Sequence, residues 1–108
     1  MKTSELTGAA LDWAVAKCEG FDHEVTSSEW GMWGWATDWS QGGPIIEREK
    51  IELTLGAHWW RANVEYTNDD TLTPHKSEEE GPTPLIAAMR CYVASKLGDD
   101  INIPEELL

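Results

Sequence analysis

Residues 81–100, "GPTPLIAAMRCYVASKLGDD", constrain the fold of this chain more than any other stretch. Thr83 stands where a helix N-cap belongs. Pro84 suits the first turn, where a missing N–H leaves no intrahelical bond unmade. Leu85, Ala88, Met89, Tyr92, Val93 and Leu97 recur at helical spacing and form an apolar stripe. Lys96 falls in the last turn, and Gly98 can end the helix in a left-handed C′ conformation. A helix striped on one side must bury that stripe against another layer.

A second helix is expected near the start. Thr7 is its candidate N-cap, and Leu6 and Leu11 stand at the two positions of a hydrophobic staple. Leu11, Ala14, Val15 and Cys18 share a face, Trp13 lies at its edge, and Gly20 can terminate it. Strand patterns follow. In 45–55, Ile51, Leu53 and Leu55 alternate with Glu52 and Thr54. In 59–66, Trp60, Ala62, Val64 and Tyr66 alternate with Trp59, Arg61, Asn63 and Glu65. Gly56, Ala57 and His58 between them predict an antiparallel hairpin.

Two stretches read as irregular. Residues 21–44 mix aromatics with turn residues: Trp33, Trp35 and Thr37 alternate as in a strand, and "QGGP" at 41–44 is a break. Residues 67–80 read as an exposed acidic loop. "INIP" at 101–104 can add a short strand before an "EELL" tail. The expected architecture is one domain over residues 1–108, of α+β class. Two helices pack on a small, mainly antiparallel sheet, beside a long Trp/Gly-rich loop.

Twenty Asp and Glu against eight Lys and Arg give a net charge of −12. Such a surface repels nucleic-acid phosphates and acidic membranes, so no direct nucleic-acid or membrane partner is expected. No apolar run approaches the roughly 18 residues of a membrane span. The first twenty residues read as a folded helix rather than a signal peptide. Cys18 and Cys91 sit among small apolar residues and read as reduced core thiols. The expected location is therefore cytoplasmic.

Catalytic and metal signatures are absent from the pattern. His23, His58 and His75 are scattered, and neither cysteine belongs to a CxxC or HxxxH spacing, so no metal site is expected. There is no GxSxG, no P-loop and no calcium-loop spacing. Neither a catalytic residue nor a cofactor is assigned, and an enzyme with an unrecognised site ranks behind the binding readings.

Three segments carry a resemblance. "KTSELTGAALDWAVAK" at the start, "DWSQGGPIIERE" at 38–49 and "GPTPLIAAMRCYVASKLGDDINIP" at 81–104 resemble the NinX-like family of tailed-phage proteins, in the family's order. Residues 21–37 and 67–80 lie outside the resemblance. It implies a small phage or prophage accessory protein acting in the bacterial host cytoplasm. It carries over no catalytic residue, cofactor or ligand.

Seven tryptophans stand against one phenylalanine and two tyrosines. Indoles can build core, anchor a partner or wall a pocket for a flat ligand. The leading expectation is a site for a small, flat, anionic, nucleotide-like ligand. Trp39 and Trp60 stack on it, Gln41 reads its polar edges, and Gly42, Gly43 and Thr83 offer backbone or hydroxyl donors. Arg48, Arg61 or Arg90, the only arginines, holds its charge. The competing reading of each arginine is a structural pair with a nearby acid. Trp30, Trp33 and Trp35 are expected at a subunit contact of a homo-oligomer. Sequestration of a host defence signal extends the ligand reading by analogy with other phage accessory proteins. The alternative function is an acidic inhibitor, or nucleic-acid mimic, that binds a host protein through a Trp-rich surface.

Overall fold

The computed structural model describes residues 1–20, 34–67 and 74–107. Its elements are α1 (Gly8–Cys18), α2 (Trp39–Glu49), β1 (Glu52–Leu55), β2 (Trp60–Thr67), β3 (Pro74–Gly81) and α3 (Pro84–Leu97), with 3-10 turns at Thr3–Glu5 and Glu105–Leu107. The strands form an antiparallel sheet in the order β1-β2-β3. Helix α3 packs on all three strands and also meets α1 and α2. Its buried residues, Leu85 and the run from Ala87 to Ala94, go right around the helix, so it is covered on both sides. The fold is α+β.

Both helices expected from the sequence form, with their predicted ends. Thr83 Oγ1 accepts the Ile86 N–H at 3.1 Å, and α3 closes at Gly98 with φ 88°. Thr7 occupies the N-cap of α1 with extended backbone, but its side chain makes no capping bond. Leu6 and Leu11 are both fully buried, as a staple requires. Gly20 takes φ 86° beyond the end of α1.

A third helix, α2, runs through the predicted break. Asp38 caps it, accepting the Ser40 N–H at 2.9 Å, and this fixes the first turn ahead of the glycines. Pro44 has no N–H for the Ser40 carbonyl one turn earlier. Both residues lie on the exposed surface, where water can take that carbonyl. The apolar pair Ile45–Ile46 thus belongs to a helix rather than to the strand expected over 45–55. That strand is only Glu52–Leu55.

The hairpin has the expected form, with Leu55 opposite Trp60 and the Gly56 N–H bonded to the Trp59 carbonyl at 2.8 Å. The acidic stretch read as a loop is corrected in its second half: β3 pairs along its whole length with β2, from Thr67↔Pro74 to Trp60↔Gly81. Its inward side is small or polar, with Ser77 and Gly81 buried and Glu79 half-buried. Residues 68–73 lie outside the described residues. "INIP" forms no strand. Instead a bridge joins Lys2 to Asp100, and the Ile101 N–H bonds the Met1 carbonyl at 2.9 Å.

Candidate binding surfaces

The three arginines expected to hold an anion are each engaged by the chain itself. Arg48, in the last turn of α2, grips Glu19 with two bonds of 3.0 and 2.7 Å. It also bonds Glu49 at 2.9 Å and the Tyr92 hydroxyl at 3.1 Å. The Tyr92 hydroxyl donates to Glu19 at 2.7 Å, and Lys96 lies 3.5 Å from Glu49. This network ties the ends of α1 and α2 to α3. Burial alone raises the Glu19 carboxyl, but the bonds from Arg48 and Tyr92 outweigh it and hold the group below its ordinary range. Arg61 pairs with Glu80 at 3.1 Å and Glu78 at 3.5 Å across the β2–β3 ladder. Arg90 is 8% exposed. Its Nε donates to the Leu6 carbonyl and its Nη1 to the Glu80 carbonyl, both at 2.8 Å.

Gln41 and the two glycines also have local work. Gln41 Oε1 accepts the Gly34 N–H at 2.7 Å. Asp12, on α1, accepts the Ala36 N–H at 3.1 Å. The turn carrying Trp35 is thereby fastened to two helices. Gly42 is a close-approach position: a Cβ there overlaps the Trp35 carbonyl oxygen and comes within 2.6 Å of Leu85 Cδ1. Gly43 is different, because its Cβ meets only Trp39 Cε3 at an ordinary 3.7 Å.

The tryptophans divide by place. Trp13 and Trp35 are buried in the core, with Lys17 Nζ 4.9 Å from the Trp13 ring centroid. Trp35 is therefore covered within the chain rather than offered to a second subunit. Trp30 and Trp33 lie outside the described residues. Trp60 is half-buried against the core, while Trp39 and Trp59 are 52% and 51% exposed. Trp39 and Thr83 do come together, lining a groove of about 230 Å³ with Ala36, Thr37, Leu85 and Ile86. None of the expected arginines lines that groove.

A larger groove, about 450 Å³, was not anticipated. It is lined by Ser4, Trp59, Glu78, Glu79, Glu80 and Arg90. An adjoining depression of about 490 Å³ shares Ser4, Glu78 and Glu79 and adds Lys2, Asp99 and Asp100. Arg90 alone of the expected site residues lines the larger groove. One sequence signal for it was available. In "WWRANVEY" strict alternation places Trp59 with Arg61, on the side away from Ala62 and Val64. The acids of β3 gave no signal, because a loop and a polar edge strand have the same composition. Burial raises the Glu79 carboxyl, and the nearby Asp99 adds to this against a smaller opposing pull from Arg90. Among the described residues neither Glu79 nor Asp99 forms an ion pair.

Other chemistry is sparse. Burial pushes the Cys18 thiol up to about 12, with Glu19 contributing, and the Cys91 thiol up to about 11. Cys91 Sγ donates to the Ser77 carbonyl at 3.3 Å, and Ser77 Oγ donates to the Cys91 carbonyl at 3.1 Å. Among the described residues no group of three or more His, Cys, Asp or Glu is placed to hold a metal ion. No described helix is long and apolar enough to cross a membrane.

A small α+β chain with a three-stranded antiparallel sheet and an acidic face fits many roles, and comparison with known proteins narrows the class to phage proteins. The family described as "Bacteriophage P22, NinX" matches residues 2–96, and the chain belongs to that family. No curated protein matches it.

Proposed function

We propose that this phage protein acts by binding a positively charged protein through the acidic groove beside Trp59. The observation that carries this reading is the lining of the groove beside Trp59: three consecutive carboxylates, Glu78, Glu79 and Glu80, with a half-exposed indole at its side. An exposed tryptophan amid like charges is the usual anchor of a steered protein contact. The surplus acid of the chain supplies the steering field. A phosphate-bearing ligand in the same groove meets repulsion instead. This is the inhibitor reading of the sequence, with Trp59 taking the place of the Trp-rich loop as anchor.

Affinity capture of host proteins on the immobilised chain tests it. A basic protein is retained at low salt and released at high salt, and Trp59→Ala and Glu79→Gln each lose it. Retention that is indifferent to salt and to both substitutions refutes the reading.

One observation favours a second reading, a small flat ligand at Trp39. The half-exposed indole shares its groove with Thr83, the N-cap of α3, where helix N–H groups and the helix dipole attract an anion. A nucleotide-like molecule there, and with it the capture of a host signal, requires binding that Trp39→Ala abolishes while the fold survives.

A further inference from the structure

We propose that the groove beside Trp59 takes an extended basic segment of the partner, laid along the edge strand β3, with Arg90 donating a hydrogen bond to one of the segment's main-chain carbonyls. The proposal rests on the basic-partner reading above and specifies how the partner is held. Among the described residues strand β3 pairs with another strand on one side only. Glu78, Glu79 and Glu80 lie consecutively along it and line the groove, and Ser4 of the N-terminal turn lines it too. An extended segment matches such a trough, as peptides that add to a sheet edge do.

Arg90 sets the chemistry. The side chain is more than nine-tenths buried, yet Nη2 has no acceptor among the described residues. No fully buried side-chain nitrogen or oxygen among them lacks a partner, so Nη2 reaches open space, and Arg90 lines this groove. An N–H donor at the margin of a buried guanidinium, held in place by its other two bonds, can exchange water for a partner's acceptor. Carboxylate or phosphate is opposed by Glu78, Glu79, Glu80 and Asp99. A peptide carbonyl accepts the bond without bringing charge. The side chains flanking that carbonyl must then answer Glu79 and Asp99, which form no ion pair among the described residues, and Lys or Arg does so. Their aliphatic stems and cationic heads suit the exposed Trp59 ring.

The test is a titration of the ¹⁵N-labelled protein, at low salt, with an end-blocked decapeptide of alternating arginine and threonine. Argininamide, which has the cation but no strand, is the control. The expected result is saturable shifts at Ser4, Glu78 to Gly81, the Arg90 guanidinium and the Trp59 indole with the peptide, and none of comparable affinity with argininamide. Arg90→Lys keeps the charge and loses the free N–H, and should weaken the peptide about tenfold, the equivalent of one hydrogen bond. Glu79→Gln, which leaves Arg90 in place, should weaken it by a similar factor if the first variant does not fold. Equal affinity for argininamide overturns the main-chain contact. Shifts confined to the depression lined by Lys50, Glu52, Asn63 and Glu65, elsewhere on the sheet, overturn the groove but leave the basic-partner reading standing. No shift at all overturns the segment, and affinity capture then decides the broader reading by itself.

Discussion

Replacing Gly42 and Gly43 separately by alanine distinguishes packing from ligand binding in α2. In an exposed helix interior, Gly→Ala stabilises by roughly 0.5–1 kcal/mol, because glycine loses more backbone freedom on folding. Gly43 precedes Pro44, whose ring disfavours helical backbone at a residue with a Cβ, so the gain there is offset and Gly43→Ala should be near neutral. The half-buried site itself has room for a methyl, 3.7 Å from the Trp39 ring. Gly42 has no such room. Its methyl overlaps the Trp35 carbonyl oxygen, which belongs to backbone pinned by the Asp12 and Gln41 bonds, and crowds buried Leu85. Overpacking of this kind costs about 1–3 kcal/mol. After the propensity gain is subtracted, Gly42→Ala should lose about 1–2 kcal/mol. The two variants should therefore differ by about 1–2 kcal/mol, with Tm lowered in Gly42→Ala alone. Urea unfolding followed by far-UV circular dichroism gives both values. If Gly42→Ala is as stable as Gly43→Ala, α2 does not approach the Trp35 turn closely and the packing argument is wrong.

The Glu19 carboxyl is held low in the fold, so its contribution is present above its unfolded pKa and lost as pH falls through the folded one. Arg48→Ala should reduce that acid-side loss in pH-dependent urea titrations, the Tyr92 bond to Glu19 remaining, yet cost under about 1 kcal/mol at neutral pH because Arg48 is half-exposed. Asp12 has the opposite sign. Burial raises its carboxyl against the Ala36 N–H, so the charged form costs stability at neutral pH and the cost fades as pH falls through the folded pKa. Asp12→Asn keeps an acceptor for Ala36 and should raise the neutral-pH Tm. Cys91 is buried, Cys18 is half-buried and both thiols are held protonated, so iodoacetamide at neutral pH should leave the native protein unlabelled and alkylate it only on unfolding, as read by intact mass.

What could be read from the sequence follows from where local signals agree with tertiary ones. Helices α1 and α3 carry caps, stripes and terminal glycines that all point one way, and they form where expected. The hairpin was legible because Leu53, Ala62 and Val64 alternate with polar residues. Helix α2 was not, because Gly42, Gly43 and Pro44 argue against helix locally. Their reason for being there is the Trp35 carbonyl and Leu85, distant in sequence. Strand β3 was hidden because its inward positions are Ser77, Glu79 and Gly81, none of which reads as core. Ser77 is accommodated only by the Cys91 backbone of α3. At the candidate site, the sequence singled out arginine as rare positive charge. It could not show that Arg48 and Arg61 face acids of their own chain, since those partners come from other elements of the fold.

Native mass spectrometry of the protein recovered from phage-infected cells tests the basic-partner reading most directly. The account predicts a complex with a basic protein that disappears in Trp59→Ala and Glu79→Gln and persists in Trp39→Ala. A small mass excess instead, released by mild denaturation, retained in the first two variants and lost in Trp39→Ala, would contradict it and move the function to the groove at the start of α3.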